Sequence, residues 1–238
     1  MGEFKINHWL HPPSFTYING HYAILNAGSG LSAGDYMIDE KEKRVGTQLD
    51  PNDAEQQIHY DGLYLDGQSD PVDGIRTWGN AAGGAPQDYE EFRHGVMQAR
   101  IRNMGNFTAF NVGTRRGYYY DIQVANCDTR GFVMGSGAGD SVVIDLHVEE
   151  ITGGPGIMVE RGFIHVIRPI AQDIQDDGIV IGKSNKNEML GPLIWGGYTE
   201  FNDGIGLRVR DGVKGGTIDG MRAITNGMAT DSPSIQTN

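Results

Sequence analysis

Segments in which Gly or Ala precedes alternating apolar residues recur through the second half of the chain. They read Ala109-Phe110-Asn111-Val112, Gly131-Phe132-Val133-Met134, Gly156-Ile157-Met158-Val159, Gly178-Ile179-Val180-Ile181 and Gly204-Ile205-Gly206-Leu207, with a weaker copy at Gly227-Met228-Ala229. The steps between copies are 22, 25, 22, 26 and 23 residues. Each copy follows a second run rich in Val, Ile, Phe and Tyr, at 99–104, 118–127, 142–151, 163–174, 190–195 and 217–224. A recurring period of this size marks a repeat architecture. Two period-2 runs per repeat, with no ten-residue stretch of period 3.6, exclude a helical array. The fold class is therefore all-β, a solenoid with coils of about 22–26 residues. Each coil cannot bury its own apolar face and buries it against the next. Coils stack ~4.8 Å apart.

Composition fits this reading and removes other classes. Glycine accounts for 36 of 238 residues, without the G-X-Y period of collagen. The formal charge is −12, so no basic face for nucleic acid is expected. No apolar run approaches the ~18 residues of a membrane-spanning helix. The first ten residues lack the basic and apolar regions of a signal peptide. One cysteine, Cys127, makes no internal disulfide, and no metal-type Cys/His spacing exists. The Gly-rich stretch 135–139 joins two strands and opens no helix, so it is not a phosphate loop.

The first hundred residues are less regular. Residues 1–57 are expected to form an N-terminal cap region, with strands near 15–25 and 35–39 and a charged turn at 39–44. The β-helix is expected over 58–238, with short rungs at 58–67 and 72–79 and an excursion loop near 80–94. Residues 232–238 show no amphipathic cap, which leads to the expectation of a covering subunit or of further chain.

The stretch Ala33-Gly34-Asp35-Tyr36-Met37-Ile38-Asp39, the charged turn after it and Ile58–Gly67 (IHYDGLYLDG) resemble the opening of right-handed parallel β-helix domains of the pectin-lyase-like class. There an aromatic-x-hydrophobic-Asp run and a charged turn precede the first rung. That class includes pectate lyases, polygalacturonases and the trimeric tailspikes of bacteriophages. The resemblance implies a single-stranded right-handed parallel β-helix, most like a bacteriophage tailspike body. It further implies a homotrimer, a bacterial surface glycan as partner, other virion proteins as neighbours, and a virion or extracellular location.

Period 2 sorts the side chains. Phe110/Val112, Phe132/Met134, Ile157/Val159, Ile179/Ile181 and Ile205/Leu207 are expected to point inward. Asn111, Val133, Met158, Val180 and Gly206 then form a nearly charge-free outward column. Val133, Met158 and Val180 are the expected oligomer interface, because an exposed apolar strip usually marks one. Cover by another part of the same chain is the alternative. On the preceding strands, Ile122/Val124, Ile144/Leu146/Val148 and Ile164/Val166 are expected inward. Asp121, Gln123, Asp145, His147, Glu149 and His165 then point outward, with Arg100 and Arg102 one coil earlier. Asp145, His147, Glu149 and His165, with Trp195 and Tyr198 for stacking, make the expected glycan-binding set.

The acids Asp173, Asp176, Asp177 and Asp203 cluster at equivalent bends of successive coils. Asp176-Asp177 before an apolar strand resembles the Asp-Asp pair of polygalacturonases, which implies one acid protonating the leaving oxygen and one activating water. The Gly-His-Gly and Arg-x-Lys partners of that family are missing downstream. Asp-Gly also recurs at 61–62, 73–74, 177–178, 203–204, 211–212 and 219–220, where Asp bonds nearby N–H groups and Gly takes positive φ. Turn chemistry is therefore the competing account of these acids. No cofactor is expected, and Ca²⁺ is the one ion the acids could hold. A second acid–base candidate is Glu149-Glu150 with Glu160-Arg161 and Arg168. The leading expectation is a tailspike-like binder of polysaccharide. A free-standing polysaccharide hydrolase or lyase, and a purely structural virion component, are the alternatives.

Overall fold

The structure, a computed structural model, describes residues 2–10, 12, 16–21, 23–40, 58–68, 70–78, 94–113, 116–135, 138–160, 162–182, 189–227 and 235–237. The excursion loop, apart from His94, lies outside these residues, as do the charged turn after Glu40 and Arg161. Among the described residues no helix is long and apolar enough to cross a membrane.

The chain winds as a parallel β-helix. Among the described residues every ladder between its strands is parallel. A narrow sheet of eight strands takes one short strand from each coil, including Thr108–Gly113, Arg130–Met134, Ile157–Val159, Ile179–Ile181 and Leu207–Val209. A wide sheet of fourteen strands takes the longer runs, including Gly95–Arg102, Tyr118–Cys127 and Val142–Ile151. Strands of the 1–57 region already belong to these sheets. Gly2–Ile6 pairs with Ala23–Ala27, which pairs with Tyr64–Asp66, and Tyr36–Asp39 pairs with Asp73–Trp78.

The core lies between the sheets as columns of like residues. One narrow-sheet column runs Ile38, Ile75, Phe110, Phe132, Ile157, Ile179 and Leu207, all nearly solvent-free. Tyr119 faces Phe110 and Phe132 from the wide sheet, edge to face at centroid distances of 5.7 and 6.2 Å. Such aromatic pairs add to the area they bury.

The wide sheet turns two corners per coil, and each corner is a column of left-handed residues. The first is Gly62, Gln98, Asp121, Asp145, Arg168, Gly196 and Gly220. The second is Asn103, Asn126, Glu150, Asp173, Phe201 and Thr225. Each corner consumes one residue and resets the in–out alternation. The expected inward set Ile144/Leu146/Val148 is corrected by this. Val143, Leu146 and Val148 are buried, Ile144 lies outward and half-buried, and Asp145 between them is the corner itself. Inward just after the second corner stand Met104, Cys127, Ile151 and Ile174, and then Asn202. Asn202 is buried and fully bonded. It accepts the Ile174 N–H at 3.0 Å and donates to the Ala171 carbonyl at 3.1 Å and to Asn226 Oδ1 at 2.7 Å.

The narrow-sheet rung after Ile179–Ile181 is shifted from the sequence expectation. Ile179, Val180 and Ile181 pair with Leu207, Arg208 and Val209, so the outward column passes through Arg208 and not Gly206, and continues to Gln236. Nor is that column open to solvent within one chain. Val133, Met158 and Val180 are 4, 5 and 0% exposed and form a small cluster apart from the main core. The expected exposed interface strip is corrected accordingly: it is buried in the single chain.

Candidate functional site

Outward residues of the wide sheet fall into columns on either side of the first corner. Before it run Tyr118, Val142, His165 and Leu193, and beside them Tyr120, Ile144, Ile167 and Trp195. After it run Arg100, Gln123, His147, Ile170, Tyr198 and Arg222, and beside them Arg102, Ala125, Glu149, Gln172 and Glu200. The surface is thus aromatic and aliphatic on one side of the corner and polar on the other. Trp195 is 56% exposed, Tyr118 45% and Tyr120 37%.

Polar groups at and beyond the corner hold one another in place. Arg168 grips Asp145 with two N–H donors, Nε to Oδ1 and Nη2 to Oδ2, both at 2.6 Å. Those bonds hold the Asp145 carboxyl below its ordinary pKa, against a smaller opposing effect of burial. Arg100 repeats the motif two coils earlier, donating to the Asp121 carbonyl at 2.9 Å and its carboxylate at 3.0 Å. Gln123 donates to Glu149 Oε1 at 2.9 Å, and His147 Nε2 stands 3.4 Å from Glu149 Oε2. Preset donors and acceptors next to flat rings suit a ligand with hydroxyls on its rim and C–H groups on its face.

The six expected glycan residues therefore share one outer surface, on both sides of its corner. His165 and Trp195 lie before it, Asp145 on it, and His147, Glu149 and Tyr198 after it. Sequence reasoning left out Tyr118 and Tyr120 as surface groups. Their alternation about buried Tyr119 is the signal that would have found them.

The four acids sit differently. Asp177 is buried, and its carboxylate accepts the Ile205 N–H at 2.9 Å and an Arg208 Nη2 N–H at 3.0 Å, with Arg208 Nε in ion-pair contact 2.7 Å from its other oxygen. Asp176 accepts the Asp177 N–H at 2.8 Å. Asp173 occupies the second corner in the left-handed region and accepts from Gln172 at 3.0 Å. Asp203 is half-buried at the bend below, its N–H on the Ile174 carbonyl at 2.8 Å. Asp176 thus caps its own bend, whereas Asp177 ties its bend to the next coil and Gly178 does not take positive φ. Among the described residues no group of three or more His, Cys, Asp or Glu is placed to hold a metal ion. Cys127 is buried, and burial pushes its thiol pKa up to about 12.

No protein-family model matches the sequence, and no curated protein matches it. Among solved structures the chain is similar to the A-module of mannuronan C-5 epimerase AlgE4 from Azotobacter vinelandii. The TM-score is 0.65 at 15% identity, over 98% of this chain and 70% of that one. At that identity the likeness concerns the fold.

Proposed function

We propose that this chain is a polysaccharide-binding β-helix that lays a glycan along the outer face of its wide sheet. The observation that carries the reading is the exposed set Tyr118, Tyr120 and Trp195 beside the Arg168–Asp145 pair. Tyr120 and Trp195 stand in one column three coils apart, roughly 14 Å. That span accommodates about three sugar units between two stacking rings. The charge of −12 favours a neutral glycan over a polyanionic one. In the finer form of this reading the ligand is a bacterial surface glycan and the setting a phage tailspike, trimeric and outside the cell. Burial of Val133, Met158 and Val180 means that such a trimer would meet through other surfaces.

The test is co-sedimentation with a panel of neutral bacterial surface polysaccharides. At least one is retained by the wild type, and Trp195→Ala weakens retention at least tenfold without changing thermal stability. Retention of none, or equal retention of the variant, refutes the reading. Mass in solution decides the tailspike setting. A value near three times 26.0 kDa supports it, and a monomer removes it.

The second reading is catalysis on the polysaccharide, favoured by the likeness to an epimerase module that acts on mannuronan. The engagement of Asp177 by Ile205 and Arg208 weighs against the acid pair as its machinery. Product analysis on the retained polysaccharide separates the two. New reducing ends, unsaturated ends or epimerised units would make the protein an enzyme.

A further inference from the structure

We infer that a cavity over the first coils, beyond the N-terminal end of the aromatic face, takes a single neutral sugar ring, as the end or a branch of the chain bound on that face. This rests on the polysaccharide-binding reading above.

The cavity arises from a local mismatch between coils. Four residues separate Asn19 from Ile24, whereas two separate their ladder partners Asp61 and Tyr64. The surplus folds into a turn in which Gly20 accepts the Ala23 N–H at 2.9 Å and Asn19 Oδ1 accepts the His21 N–H at 3.0 Å. The turn carries His21 over Gly62, the first member of the corner column. Gly62 has φ of +65°, and a Cβ there would stand 2.3 Å from His21 Nδ1, so any other residue would displace the imidazole. On its other side His21 Nε2 lies 3.5 Å from Asp61 Oδ2, which Tyr17 holds through its hydroxyl at 2.9 Å.

Beneath the overhang lies a cavity of about 340 Å³. Ile24 and Leu63 contribute apolar surface, and Tyr64, Gln98, Arg100 and Asp121 add polar groups. This size is at the low end of small-molecule pockets, which run from about 300 to 1,000 Å³, and suits one or two rings. Arg100 uses three N–H bonds on Ala99 and Asp121 and is thereby fixed in direction. A pyranose has one C–H face for the apolar surface and hydroxyls that both donate and accept for the polar groups. Charge selects the class. Arg100 is offset by Asp121, and Asp61 stands beside His21, so there is no surplus cation for a uronate. The corner column connects the cavity to the Arg168–Asp145 pair, with Gln98 and Asp145 two coils apart, about 10 Å.

The experiment is a titration of the intact chain with glucose, galactose, mannose, N-acetylglucosamine and glucuronate, followed by the His21 imidazole NMR signals. At least one neutral sugar shifts them saturably in the millimolar range, and glucuronate binds at least tenfold more weakly. Gln98→Asn, which keeps the left-handed corner and withdraws the amide, weakens that sugar at least fivefold. Trp195→Ala leaves the titration unchanged while weakening polysaccharide retention. Absence of any shift, equal or tighter binding of glucuronate, or an unchanged Gln98→Asn titration overturns the inference. Loss of the sugar shift with retained polysaccharide binding removes the pocket alone. Loss of polysaccharide retention with an intact sugar shift removes the face reading alone.

Discussion

Asp177 shows how one side chain can carry two incompatible meanings in a sequence. As half of an Asp-Asp pair it suggests acid–base chemistry, and as part of Asp-Gly it suggests a bend. The Ile205 N–H and the Arg208 guanidinium, both on the next coil, make it a structural tie between coils. Asp177→Ala leaves that N–H and the Arg208 charge without their acceptor, and is expected to cost about 2 kcal/mol. Chemical denaturation measures the loss, and polysaccharide retention stays at the wild-type level. An equal loss of retention would return Asp177 to the binding machinery. Asp145 makes a pH prediction. Its pKa is depressed in the folded state by Arg168, so its contribution to stability is present above the unfolded carboxylate value of ~3.9 and is lost as pH falls through the lower folded value. The stability gap between wild type and Asp145→Asn is therefore constant near neutrality and closes on acidification below about pH 4. A gap that persists in acid would show that the carboxylate charge is not what Arg168 holds. Cys127, with its thiol pushed up to about 12, is expected to resist iodoacetamide at pH 8 until the chain unfolds, as mass spectrometry would show.

The corners explain both what was legible and what was not. The coil period, the strand pairs and most inward residues followed from alternation, because period 2 holds within each straight run. A left-handed residue uses one position without adding to the alternation, and although Asn and Asp favour that conformation, no rule of residue type announces Gln, Arg, Glu or Phe in it. Unbroken alternation back from Leu146 therefore points Ile144 inward, whereas the corner at Asp145 turns Val143 inward instead. The Arg208 register failed for a related reason, since Gly204-Ile205-Gly206 looked like the start of a rung and is its approach. Thr225 is the least suited of the corner residues, being β-branched at φ 48°. Thr225→Asn is expected to raise stability by about 0.5–1 kcal/mol, because asparagine tolerates this region better. A lower melting temperature for that variant would mean that the Thr225 side chain contributes more than its strain costs.

A solenoid distributes its surface as long columns, so a binding face is set by register more than by any single motif. Trp195 lies 75 residues after Tyr120 in the sequence, and only the coil alignment puts it on one surface with Tyr118 and Tyr120. Sequence alone could name Trp195, Tyr198, His147 and His165 as suited to sugars, yet could not give their common plane or the corner that divides it. The cavity under His21 was not legible at all, since it depends on two surplus residues in a coil whose partner strand is forty residues away. The Val133–Met158–Val180 strip shows the converse, because its burial is a property of the folded chain that alternation alone does not reveal. The face itself can be tested by hydroxyl-radical footprinting with a retained polysaccharide present and absent. The account predicts protection of Tyr118, Tyr120 and Trp195, with Phe4 and Phe107, equally exposed elsewhere, modified as in the free protein. Protection of Phe4 or Phe107 with Tyr118, Tyr120 and Trp195 left reactive would contradict it.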